Sequence, residues 1–276
     1  MKLAFNTWVY SSFPVWVPSY PLEEVIPRLA AIGYDGIELG AASPHAYPDY
    51  TGPQRRREIR KLFEQNNIAL VSMLPAPGGG AGFNVASPIK EERTAAIDQY
   101  KKVVTLCAEL GGKIVLYVAG WQVFGTTREE AWNWSRAALA DIAKTAETQG
   151  IMICIEPTPA DSNLVDSADD AMRMMHEVAA QNVKLMFDTY HTIYRNEVAT
   201  DYVHRFGKDL AHVHLAGSNR LPPGEGTGSF ATLIETLKKT GFDGYLTMEI
   251  GFNRRDVDPD AFAKRAYDYV KRLIET

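Results

Sequence analysis

The chain has 276 residues, 46% of them hydrophobic and 23% charged, which supplies a full core and argues against disorder. Lys plus Arg number 29 against 34 Asp plus Glu, a net charge of −5 with no basic block, which disfavours nucleic acid and anionic membranes as partners. No apolar run reaches membrane-spanning length, the start has no signal-peptide core, and Cys107 and Cys154 lie in apolar segments, so the expectation is a soluble, cytoplasmic enzyme with two buried thiols and no disulfide.

In chain order, strand-like apolar runs occur at 3–6, 36–39, 68–73, 114–118, 151–156, 183–188, 211–215 and 245–250. Helix-period stretches alternate with them at 22–32, 54–65, 91–110, 128–149, 168–178, 198–206, 230–239 and 260–274. Eight such units predict an α/β fold, a closed (β/α)8 TIM barrel occupying 1–276 as one catalytic domain. The rival, a doubly wound open sheet, would normally show a Gly-rich phosphate turn after its first strand, and Phe5-Asn6-Thr7-Trp8 is not one. Gly33-Tyr34-Asp35-Gly36-Ile37-Glu38 is echoed by Gly241-Phe242-Asp243-Gly244-Tyr245-Leu246, which predicts two similar turns from helix to strand. The Gly/Pro-rich stretch 75–82 reads as a long loop after the third strand, where barrel enzymes place substrate contacts.

Function in a barrel sits at the C-terminal strand ends, so the polar residues there form a selective set. The fifth to eighth runs supply Glu156, Asp188, His214 and Glu249. Three carboxylates and one imidazole converging on a point would repel unless a cation neutralised them. An oxygen-rich set with one nitrogen suits Mn²⁺ first, then Co²⁺ or Mg²⁺, rather than a thiolate-type zinc site. Any single carboxylate among them can instead cap the following helix. His212 and His214 are expected to face opposite sides of their strand, with only one in the barrel mouth. His176 and His204 fall in helical stretches and are expected to be solvated.

The motif His212-Val213-His214-Leu215-Ala216-Gly217-Ser218-Asn219-Arg220, followed by Pro223-Gly224-Glu225-Gly226, resembles the metal-histidine and substrate-arginine segment of the sugar isomerase/epimerase branch of the xylose-isomerase-like TIM barrels. Within that branch the chain is similar to the ketose 3-epimerases, of the D-tagatose/D-psicose and fructoselysine types, along essentially its whole length. The resemblance selects His214 as ligand and Arg220 as a substrate residue. Asp188-Thr189-Tyr190-His191 resembles the tagatose/psicose type, which implies a metal aspartate and a substrate-contacting His191. Ser43-Pro44-His45-Ala46-Tyr47 and Ser162-Asn163-Leu164-Val165 resemble the fructoselysine type, so the sequence is a mosaic. Where these epimerases carry a second glutamate after the first metal glutamate, this chain has Asp161, one methylene shorter, as a substrate residue or a turn cap. The stretch 224–228 reads as a turn before a helix rather than a phosphate cradle.

Aromatic residues cluster after the first strand (Trp8, Tyr10, Phe13, Trp16), the fourth (Trp121, Phe124) and the sixth (Tyr190, Tyr194). Rings suit the C–H faces of a sugar, and Trp8 and Trp121 are the expected substrate walls. Loop aromatics can equally form an interface, so a homo-oligomer, or association with another subunit, is admitted.

The resemblance implies a metal-dependent epimerase or isomerase working on a ketose or keto-sugar through an enediolate, with C3 epimerisation foremost. Glu156 and Glu249 are then the proton-transfer pair, Asp188 and His214 mainly metal ligands. A lyase cleaving a 3-keto C-glycoside and an aldose–ketose isomerase use the same enolisation. The nuclease reading that this fold also allows is opposed by the acidic balance, and a non-catalytic sugar-binding module by the pair of glutamates.

Overall fold

The computed structural model describes residues 1–11, 17–76 and 83–276; Phe13, Trp16 and positions 77–82 of the Gly/Pro-rich loop lie outside the described residues. The apolar runs become β1 (Lys2–Asn6), β2 (Gly36–Ala41), β3 (Ala69–Pro75), β4 (Ile114–Val118), β5 (Met152–Glu156), β6 (Val183–Asp188), β7 (Leu210–Leu215) and β8 (Tyr245–Met248). Each pairs in parallel with the next, and β1 pairs with β8, so the sheet closes and the open-sheet rival is excluded. The helical stretches become α1 (Leu22–Ile32), α2 (Pro53–Gln65), α3 (Lys90–Leu110), α4 (Arg128–Thr148), α5 (Ala168–Val178), α7 (Ala199–Phe206), α8 (Phe230–Lys239) and α9 (Pro259–Glu275). A further short helix, α6 (Thr189–Tyr194), follows β6 directly. The sequence does not announce it, because Thr, Tyr and Ile are weak helix formers and six residues show little periodicity.

Local chemistry explains the helix ends. Thr127 and Glu130 form a reciprocal capping box at the start of α4, and the Ser167 side chain accepts from the Asp170 amide to start α5. The echoed turns are both built on left-handed glycines, Gly33 at φ 116° and Gly241 at φ 75°, with β2 and β8 beginning a few residues later.

Strand alternation divides the apolar residues into two separate clusters. One set faces outward and packs under the helices, and includes Phe5, Ile37, Val115, Ile155, Phe187, Val213 and Met248. The other, with Leu74, Ile114, Leu116, Cys154, Met186 and Trp8, fills the barrel interior along β3–β6. Cys107 belongs to the outer cluster and Cys154 to the inner, and both thiols are free and buried. The rest of the interior, along β1–β3, β7 and β8, is polar: Asn6, Glu38, Ser72, His212, His214 and Thr247 are all at most 1% exposed.

Trp8 roofs the inner cluster by lying on Gly40, where a Cβ would come within 2.5 Å of the indole ring. Gly40→Ala must therefore displace a buried indole, an overpacking change expected to cost about 1–3 kcal/mol. Urea unfolding should show a lower midpoint at unchanged slope. A wild-type midpoint would mean that the ring does not rest on the strand.

Candidate active site

The upper rim of the barrel interior is where polar strand ends collect. Glu156 closes β5, Asp188 closes β6, His214 lies one residue before the end of β7, and Glu249 is the first residue after β8. Register sets two of them side by side, since Asp188 pairs with His214 across β6 and β7. Each of the four offers one ligand atom, all these atoms lie within 4.8 Å of one another, and all four residues are buried. The Nδ1 atom of His214 stands 3.3 Å from a Glu249 oxygen and 3.7 Å from a Glu156 oxygen.

The capping role of a strand-end carboxylate and its place in the cluster coexist at Asp188. Its Oδ1 accepts from the Tyr190 amide at 2.8 Å and starts α6, while Oδ2 turns to the cluster and pairs with Arg220 Nη1. The same Arg220 nitrogen lies 2.7 Å from Glu249 Oε2. A guanidinium thus supplies positive charge between two of the three acids. Together with the oxygen-rich donors and the inward-facing Nδ1 of His214, this shows that the set fits a hard divalent cation.

The acids are not equivalent. Burial, reinforced by Glu249 and Asp188, holds the Glu156 carboxyl well above the usual range. Burial also raises Glu249, but Arg220 and His214 outweigh it and hold that carboxyl below its ordinary value. Asp188 is raised by burial despite Arg220. Burial lowers His214, and Glu38 and Glu249 overcome this and raise it.

Arg220 reaches the cluster from the turn after β7, where Asn219 and Arg220 both take left-handed backbone angles, φ 57° and 56°. Its guanidinium lies over two aromatic rings, 4.0 Å from the centre of Tyr190 and 4.9 Å from that of Phe252. Sequence reasoning did not single out Phe252. Asp161, in the loop after β5, comes within 3.5 Å of His191 Nε2 and 3.7 Å of Arg220 Nη2. The structure therefore gathers the three polar substrate candidates, His191, Arg220 and Asp161, beside the cluster. Burial, then the Arg220 charge, pushes the His191 pKa down to about 3, so this imidazole is neutral at neutral pH.

Beneath the cluster lies a group that the sequence reading missed. Glu38, on β2, is fully buried and accepts from Asn6 Nδ2 at 2.7 Å and from Ser72 Oγ at 2.6 Å. Its oxygens also lie 3.0 Å from His214 Nε2 and 3.2 Å from His212 Nε2. Burial raises Glu38, but the two imidazoles prevail and hold it well below the usual carboxylate range. The expectation that His212 and His214 face opposite sides is wrong: residues two apart on a strand share a face, and both imidazoles point inward. The available signal was an ionisable residue inside the apolar run Gly36-Ile37-Glu38-Leu39 of a strand covered on both faces. His176 and His204 are exposed, as expected.

The aromatic expectations divide. Trp8 roofs the interior cluster, against which Phe252 also packs. Trp121 lines a small cavity with Tyr47, Pro75 and Tyr100, and its backbone is clamped by the Asn84 side chain, which accepts from the Trp121 amide at 3.1 Å and donates to its carbonyl at 2.8 Å. Phe124 is fully exposed among the described residues. The stretch 224–228 is a turn before α8; the Thr227 amide donates to Ser218 Oγ and the Glu225 amide to the Pro222 carbonyl.

Residues 26–273 match the family model described as a xylose isomerase-like TIM barrel. The fructoselysine 3-epimerase of Shigella flexneri is 24% identical over 260 residues, 92% of this chain and 94% of that protein. The D-psicose 3-epimerase of Ruminiclostridium cellulolyticum is 29% identical, over 81% of this chain and 76% of that protein. Among solved structures, D-psicose 3-epimerase with D-tagatose from Clostridium cellulolyticum H10 superposes with a TM-score of 0.85 at 22% identity, covering 100% of both chains. The 3-keto-D-glucoside 4-epimerase of E. coli follows with a TM-score of 0.83 at 20% identity, covering 99% of each chain. This chain belongs to the xylose isomerase-like TIM barrel family.

Proposed function

We propose that the protein is a divalent-metal-dependent sugar epimerase, acting on an unphosphorylated ketose or keto-sugar derivative through an enediolate, with C3 epimerisation as the reaction. The observation that carries this reading is the convergence of Glu156, Asp188, His214 and Glu249 at one buried point of the barrel mouth. The relatives are named as 3-epimerases of ketoses and a 4-epimerase of a 3-dehydro-guloside, reactions that share proton removal beside a carbonyl.

In this reading Glu156, Asp188, His214 and Glu249 hold the cation, for which Mn²⁺ is the first choice. The chemistry such an ion supplies when bound is polarisation of a carbonyl and its neighbouring hydroxyl, which acidifies the adjacent C–H. Glu249 and Glu156, on well-separated strands, remove the proton from one face and return one to the other. Asp188 and His214 remain ligands. Arg220, neutral His191 and Asp161 bind substrate oxygens, and Trp8 and Trp121 offer apolar walls. The amides of Glu225 and Thr227 are taken by the Pro222 carbonyl and the Ser218 hydroxyl, which supports a turn here and a substrate without phosphate. Residues 1–276 act as one catalytic domain, alone or as a homo-oligomer, and the two buried free thiols support a reducing compartment such as the cytoplasm.

Two outcomes test the reading. Chelation with EDTA should abolish activity and Mn²⁺ should restore it; full turnover by metal-free protein would refute metal dependence. Against a panel of ketoses and 3-keto glycosides in D₂O, the loaded enzyme should exchange the proton beside the carbonyl. Glu249→Gln or Glu156→Gln should lower kcat and exchange by at least ~10²-fold, the scale for losing a positioned acid or base. Near-normal turnover in either variant would remove that residue from proton transfer.

A further inference from the structure

The polar layer below the cluster assigns a role to Glu38. Five side chains from four strands meet there: Asn6 on β1, Glu38 on β2, Ser72 on β3, and His212 and His214 on β7. Register puts the first three at one height, since Asn6 pairs with Glu38 and Glu38 with Ser72. All five are at most 1% exposed. TIM-barrel interiors are usually filled by branched apolar residues, so a buried carboxylate here needs a reason beyond packing.

A carboxylate has about four lone-pair directions and no proton to give. Four groups stand around this one. Asn6 and His214 approach Oε1, at 2.7 and 3.0 Å. Ser72 and His212 approach Oε2, at 2.6 and 3.2 Å. A bare imidazole nitrogen at such a distance would set lone pair against lone pair, so a proton on each Nε2 is the arrangement that suits the carboxylate, although in this conformation neither N–H is aimed squarely at an oxygen. The two ends of the His214 ring face different acids. Nε2 faces Glu38 in the lower layer, whereas Nδ1 faces Glu156 and Glu249, so Nδ1 is the nitrogen that a cation held among those acids would meet, displacing the proton from that end of the ring.

We propose that Glu38 is a positioning residue: it holds the Nε2 proton of His214 and so fixes both the ring orientation and Nδ1 as the ligating atom. Asn6 and Ser72 hold Glu38 itself in place. Its role as support for a metal ligand rests on the metal reading above, whereas the proton placement stands on the geometry of this layer alone. Carboxylate partners of this kind orient metal-bound histidines and raise their basicity.

The test has two arms that fail separately. In ¹⁵N-labelled metal-free protein, long-range ¹⁵N–¹H correlations should show the His214 Nε2 protonated; a ring protonated at Nδ1 alone would overturn the proposal. This arm needs no variant and no metal. In the second, Mn²⁺ affinity is measured by chelator competition for wild type and Glu38→Gln, with circular dichroism to confirm folding. The isosteric amide has no negative charge and only one acceptor oxygen for the four groups around it, so it supports the imidazole less well, and binding should weaken by about 10- to 100-fold, the usual scale for such partners. In ¹⁵N spectra of Zn²⁺-loaded protein, wild type should bind through Nδ1 and keep its Nε2 proton. A folded Glu38→Gln protein that binds Mn²⁺ as tightly as wild type would overturn the support role. A wild-type protein that binds neither ion would instead refute the metal reading, with the metal-free spectrum still judging the proton on Nε2.

Discussion

Compensation of buried negative charge is the constraint on which the site depends. Four carboxylates, Glu38, Glu156, Asp188 and Glu249, lie inside one barrel at 4% exposure or less. An ionised group there costs several kcal/mol unless partners replace its water. The lower acid is met by an amide, a hydroxyl and two imidazoles. The upper three share His214 and the guanidinium of Arg220. His214 joins the two levels, one ring nitrogen to each, so the interior behaves as a single electrostatic unit.

The scaffold makes that unit stiff. Parallel strands in a closed barrel leave no free edge, and two-residue alternation sends one set of side chains under the helices and the other inward. The inner apolar cluster along β3–β6 packs beside the polar layer and keeps water away from it. Functional side chains therefore stand on strands, whose register fixes their heights, and loops add the groups that approach from above. Arg220 is the clearest case: it comes from a left-handed turn, and its guanidinium packs over the rings of Tyr190 and Phe252. Sites held this way keep their geometry better than sites carried by loops alone.

Much of the architecture was legible because barrel units are local. A strand of five or six apolar residues, a turn and an amphipathic helix each leave a mark over a short stretch, and repetition eight times over admits few topologies. The positions of Glu156, Asp188, His214 and Glu249 were readable for the same reason, since each follows or ends an apolar run at the end of the barrel where chemistry gathers. Helix α6 left no such mark. It is held by the Asp188 cap and by Thr189, whose hydroxyl donates to the Ala216 carbonyl and accepts from its amide, both at 2.8 Å.

Sequence alone thus determined the period of the elements, the order of the units and the residue types at the strand ends, because hydrophobic pattern and turn chemistry act between near neighbours. Only the closed barrel decided that Glu38 sits under His214, that Asp161 meets His191 and Arg220, and that both histidines of β7 turn inward. Glu38 and His214 are far apart in the chain and share no motif. They meet because closing the sheet brings β2 and β7 across one narrow interior, where a carboxylate without a protonated partner would not stay buried.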